Sequence, residues 1–176
     1  VHAGCSTQVA YELASTLSPS SNHGNLKLIT TGLIDRFEHH WGKKHVKFLG
    51  SRLSRPRWPI DKQSTSGILR AAHRQRKAKV LLGGLTKTLE AVFDTAGDLG
   101  GVVSTWMLCP IEETNDSLDL LTLEFLLNSW VCTWQYYEQY GCQSSPWGGM
   151  TIKKKGLQRL MLPHRLFSFG NKPKGP

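Results

Sequence analysis

The sequence predicts a mainly α-helical fold: a small helical core around one long amphipathic helix at 117–140, with extended basic N- and C-terminal segments. Three observations predict it. Leu120, Leu123, Leu127, Trp130, Trp134 and Tyr137 recur at a 3-4-3-4-3 spacing, which places them on one side of a helix. Residues 68–82 are good helix formers, preceded by Ser64, Thr65 and Ser66 as possible N-caps. Charge comes in blocks: residues 1–88 hold 15 bases and four acids, 89–150 hold nine acids and no Lys or Arg, and 151–176 hold seven bases and no acid. Such a layout predicts a compact acidic element between basic segments that face a polyanion.

Taken in order, Val9, Ala10, Leu13, Ala14 and Leu17 are spaced for a short helix that stops before Pro19. The β-branched, apolar run 26–34 suits a strand or a helix start, and periodicity does not choose between them. Pro56 and Pro59 make 51–59 an extended basic linker. Helix 68–82 has a strongly cationic centre and ends at Gly83-Gly84. A second short helix is expected at 85–95, with Leu85, Leu89, Val92 and Phe93 on one face and Gly97 as its stop. The segment 102–108 is ambiguous. The long helix has Asp116 as N-cap, acids at Glu112, Glu113 and Asp119 near its positive end, and Gly141 as C′. At about 1.5 Å per residue it would span roughly 36 Å. The expected organisation is a partly extended basic arm at 1–67, a helical core at 68–145 and a basic tail at 146–176.

A chain of 176 residues suits one domain, and 39% hydrophobic residues with a mean hydropathy of −0.31 lie low for a compact globule. A pI near 9.6 points to nucleic acid or an anionic surface. Cys5, Cys109, Cys132 and Cys142 lack the paired short spacing of a zinc site, so no metal and no cofactor is expected. Cys132 falls in an apolar helical pattern and reads as a buried free thiol in a reducing compartment. No run approaches the ~18 apolar residues of a membrane span. The glycine pairs carry neither a P-loop ending nor a dinucleotide fingerprint. A chain starting at Val1 fits a removed presequence, and with it the mitochondrial matrix; a nuclear or viral location is the alternative.

Bases interleaved with aromatics are the strongest functional signal. Arg36, Trp41, Lys43, Lys44, Lys47, Arg52, Arg55, Arg57 and Trp58 form a first patch, in which cations neutralise phosphates and rings stack on bases. Arg70, Arg74, Arg76, Lys77 and Lys79 form a second patch. Lys153, Lys154, Lys155 and Arg159 form a third. Three separated patches with extended linkers, the second of them on a helix, predict a non-enzymatic RNA-binding component of a large ribonucleoprotein, such as an organellar ribosome. Its partners would be structured RNA and a neighbouring protein packed on 117–140. The alternative is a viral or nuclear nucleic-acid-binding, capsid-type protein.

The segment Glu38-His39-His40-Trp41-Gly42-Lys43-Lys44-His45 resembles the second active-site segment of the T2 ribonuclease family, E-H-E-W-x-K-H-G. Glu38, His39, Trp41 and Lys43 match. His40 stands where the family has its catalytic Glu, and a one-residue insertion is needed for His45 to meet the second His. The family's other motif, H-G-L-W-P, is missing, since His23-Gly24-Asn25-Leu26 lacks the Trp-Pro. The resemblance implies a basic ribonuclease as a third reading, with two positioned proton carriers.

Overall fold

Residues 79–82, Lys-Val-Leu-Leu, are the key to the architecture. A helix would turn one of three consecutive large apolar side chains to solvent, whereas a central strand buries both of its faces. In the computed structural model they form a strand buried at every position. The structure describes residues 1–17, 26–60, 64–110, 117–140 and 149–163.

The chain begins with β1 (His2–Ala3), α1 (Thr7–Thr16) and β2 (Leu26–Ile29). A 3-10 turn (Thr31–Leu33) leads into two hairpins, β3 (Ile34–Asp35) with β4 (Glu38–His39), and β5 (Val46–Phe48) with β6 (Ser51–Leu53). Then come β7 (Arg57–Trp58), α2 (Ser66–Gln75), β8 (Lys79–Gly83), β9 (Leu85–Thr86), β10 (Ala91–Asp94), β11 (Leu99–Gly101) and β12 (Thr105–Leu108). The rest is helical, α3 (Ser117–Leu127) and α4 (Trp130–Tyr140), followed by β13 (Met150–Thr151) and α5 (Lys154–Leu157).

An antiparallel sheet in the order β1-β12-β8-β10 divides two cores. Leu81, Val92 and Met107 face the first core, with α1, α2 and the three-stranded sheet β11-β2-β7; within that sheet β11 and β2 are parallel. Val80, Leu82, Ala91 and Leu108 face the second core, with α3, α4 and α5. The period-2 alternation along β8 is what serves both layers.

These elements overturn the mainly α expectation, since the described residues are about 35% helical and 29% strand. Helix α2 keeps the expected start, with the Thr65 hydroxyl accepting from the Ile68 N–H, but ends at Gln75, and 79–83 is strand. The short helix expected at 85–95 is instead β9 and β10. The N-terminal segment is not extended: Leu26, Leu28, Ile29 and Trp58 are fully buried in the first core. The proline-bearing stretch 51–59 supplies β6 and β7. There the Trp58 indole lies so close to Gly100 that a Cβ would sit 2.5 Å from its Nε1.

The long helix is broken. Asn128 and Ser129 separate α3 from α4, and the Ser129 hydroxyl accepts from the Cys132 N–H to cap the second helix. The break follows from what the pair covers. Strand β10 is a sheet edge, and side chains of the helices satisfy it: Glu124 accepts from Phe93 N–H (2.8 Å), Asn128 pairs with both backbone groups of Ala91 (2.9 Å each) and Thr133 accepts from Leu89 N–H (3.1 Å). Alternate strand residues repeat every ~6.8 Å, whereas four helical residues rise about 6.0 Å and five about 7.5 Å. Spacings of four and then five residues keep helix and strand in step. The shift also rotates the apolar stripe. Leu120 and Leu127 are buried as the spacing predicts, but in α4 the buried set is Cys132, Thr133 and Tyr136, while Trp130 and Trp134 face solvent. The expected caps Asp116 and Gly141 lie outside the described residues, as does 164–176 of the basic tail.

Candidate polyanion-binding site

The parallel pair β2 and β11 ends at Ile29 and Gly101, and the Val102 N–H donates to the Ile29 carbonyl, so both chains leave the sheet side by side. Ligands of α/β sheets bind beyond the carboxyl ends of such strands. Here the exits, 30–32 and 103–104, form one wall of a cleft of about 470 Å³, and His45, Lys47, Phe48 and Leu49 of the β5–β6 hairpin form the other. Two lining residues hold left-handed backbone without being glycine, Leu49 (φ 44°) and Ser104 (φ 62°). Such conformations cost of order 1–3 kcal/mol each and cluster at binding sites.

The hairpin is built by alternation. Val46, Phe48 and Leu53 point into the first core, and Lys47 and Arg52 point outward. Leu49 and Gly50, both at positive φ, make its two-residue turn. The register sets Lys47 directly opposite Arg52. Like charges opposed across a strand pair repel, and neither residue forms an ion pair among the described residues. Lys44 and Arg55 are exposed nearby, and no acid occurs between Glu38 and Asp61.

The remaining predicted residues divide by location. Trp58 is fully buried, and the Trp41 ring is flanked by the protein's own cations, Arg57 at 5.0 Å and Lys27 at 5.8 Å. Trp58 therefore offers no face to a nucleobase, and Trp41 is half-buried beside its own cations. Arg36 lies over Trp130 at 5.2 Å and donates to the Asn128 carbonyl, beside the helices and not the cleft. Lys43 pairs with Glu38 at 3.3 Å. In the second patch Arg70, Arg74, Arg76 and Lys77 are exposed, but Lys79 is withdrawn completely. Its ammonium pairs with the buried Asp94 and donates to the Gln75 carbonyl at 2.5 Å, and burial pushes its pKa down. Asp94 also accepts from the Asp98 and Leu99 N–H groups, while Gln75 bonds Gly4 and Gly101, so this network is closed and architectural.

Lys153, Lys154, Lys155 and Arg159 are exposed at and after α5. In β1 the His2 pKa is lowered by burial, with the N-terminal ammonium and then the Lys154 and Arg74 charges adding to the effect.

The T2-like segment does not converge on a proton-transfer site. Glu38 and His39 are successive strand residues, whose side chains leave on opposite sides. Burial lowers the His39 pKa and favours its neutral form, and its Nδ1 is buried without a hydrogen-bond partner. Asp35, Glu38 and His40 bring ligand atoms within 4.8 Å of one another and are the described residues able to hold a cation. Their charge is already met locally: the Arg36 N–H donates to Asp35 at 2.8 Å and lowers its pKa, and His40 lies 3.4 Å from Asp35. Cys5, Cys109 and Cys132 are free, and burial raises each thiol, Cys5 to about 11, which suppresses the nucleophilic thiolate.

Sequence reasoning missed Thr30, His45, Leu49 and Ser104 as cleft residues. The readable signal was Val46-Lys-Phe48 and Ser51-Arg-Leu53, two alternating triplets around a glycine-containing pair, which is a hairpin pattern. No family model, curated protein or solved structure matches this chain.

Proposed function

We propose that the protein binds RNA by its phosphates, along the outer face of the β5–β6 hairpin and the cleft beside it, as an RNA-binding component of a ribonucleoprotein. The observation that carries this is the opposition of Lys47 and Arg52, with no ion pair to either among the described residues. A phosphate between two such cations relieves their repulsion and releases counterions. The exposed bases of α2 and α5 would add further phosphate contacts. With Trp58 buried and Trp41 half-buried beside Arg57 and Lys27, binding would follow the backbone of structured RNA more than stack on its bases. A protein neighbour on the exposed side of α3 and α4 belongs to the same proposal, on separate grounds of apolar area.

The test is anisotropy of labelled structured RNA over a salt series. Lys47→Ser with Arg52→Ser should weaken binding uniformly across sequences and reduce the log–log salt slope by roughly two. An unchanged slope and affinity would remove the hairpin from the interface. Intact RNA after incubation is expected, and cleavage would favour the ribonuclease reading.

A further inference from the structure

The break between α3 and α4 turns large apolar side chains outward. Leu121, Phe125, Trp130, Val131 and Trp134 are between 50% and 67% exposed. Phe37, 51% exposed, extends the surface from the β3–β4 turn, its ring 6.2 Å from Phe125. A whole aromatic side chain is worth about 150–250 Å², so the four rings present roughly 500 Å², to which Leu121 and Val131 add. Monomers seldom expose a contiguous apolar patch above about 300–600 Å². A standard interface takes about 800 Å² from each partner, so this face is the right size for one side of a stable contact.

We infer that the occupant is a second copy of this chain, the two copies packing α3 and α4 together about a two-fold axis. This rests on the protein-facing reading of the helices and is independent of RNA binding. Residues 117–140 contain no base, and their acids are Asp119, Glu124 and Glu138. Glu124 is buried against β10, so charge is left only to Asp119 in the first turn of α3 and Glu138 near the end of α4. An aromatic centre with charge at its ends is the composition of homodimer interfaces. The helices themselves carry no base to hold nucleic acid or an anionic membrane, and Arg36 at the edge of the face lies over Trp130 and donates to the Asn128 carbonyl. Ridges at i, i+4, such as Leu121–Phe125 and Trp130–Trp134, pack into the grooves of an identical helix.

Sedimentation velocity of the full chain without RNA, over a concentration series, tests this. Wild type should form a species of twice the 19.7 kDa chain mass. Val131→Arg and Trp134→Ser should each raise the dimer dissociation constant at least about tenfold, with unchanged circular dichroism. Lys47→Ser should leave it unchanged. A dimer that persists in both helix variants would overturn the inference by placing the contact elsewhere. A monomeric wild type would overturn it too, and dye binding then separates the two readings. An anilinonaphthalene dye that binds wild type and not the variants would leave a protein-facing surface for an unlike partner; absent dye binding would remove that reading as well.

Discussion

Residues 130–140 and 46–53 both alternate between buried and exposed side chains, yet they deliver opposite chemistry to solvent. The β5–β6 hairpin buries Val46, Phe48 and Leu53 and shows Lys47 and Arg52. Helix α4 buries Cys132, Thr133 and Tyr136 and shows Trp130, Val131 and Trp134. In sequence, bases and aromatics are interleaved around 36–58; in the fold, the cations stay outside while Trp58 and Phe48 are buried and Trp41 is flanked by Arg57 and Lys27. The large exposed rings come mostly from the acidic stretch. A linear mixture of charge and aromatic side chains is thus sorted by the fold, with Lys47 and Arg52 outward on the hairpin and Trp130 and Trp134 outward on α4.

The comparison breaks most severely where the layers are joined from inside. Asp94→Ala should destabilise by about 3–5 kcal/mol, because it leaves the Lys79 ammonium buried without its partner. Urea unfolding would measure it, and replacing Lys79 by Met in the same chain should recover much of the loss. Next in size is the contrast between Tyr136 and Trp134, two residues apart in one helix. Tyr136 is 1% exposed, stacks on Tyr140 at 5.1 Å and accepts from the Lys153 N–H. Tyr136→Ala should cost about 3 kcal/mol or more, and Trp134→Ser under about 0.5 kcal/mol in the monomer. Comparable losses would mean that the exposed stripe is part of the core.

A smaller effect should appear in pH dependence. Burial raises the Glu124 pKa, with the Phe93 N–H opposing. A carboxyl raised in the folded state holds its proton where the unfolded chain has lost it. Its contribution is therefore full below the ordinary Glu range and fades as pH rises through the folded value. Glu124→Gln keeps an acceptor for Phe93 and carries no charge. It should be more stable than wild type at neutral pH, and the advantage should vanish in acid; thermal midpoints at both pH values would show this. The smallest change is expected at the hairpin. Lys47→Ser should raise stability by a few tenths of a kcal/mol by removing the repulsion with Arg52, while weakening RNA binding.

Local signals read well where local physics decides. Val9, Ala10, Leu13 and Ala14 lie in α1, Thr65 caps α2, and Cys132 is a buried free thiol. Among the described residues no helix is long and apolar enough to cross a membrane. The segments misread as helix, 79–82 and 85–95, have residues that suit either state. Their strand form depends on partners distant in sequence: Leu81 opposite Met107, and Ala91 held by Asn128.

By itself the sequence determined the charge blocks, the Thr65 cap and the helical character of α1 and the start of α2, because these depend on composition and on neighbours within a turn. Only the tertiary structure decided that Lys79 is buried, that Lys47 faces Arg52 and that Trp134 faces water. Each depends on register between elements. A two-residue strand repeat beside a helix forced a break at 128–129, and that break fixed which side of α4 the protein keeps for itself.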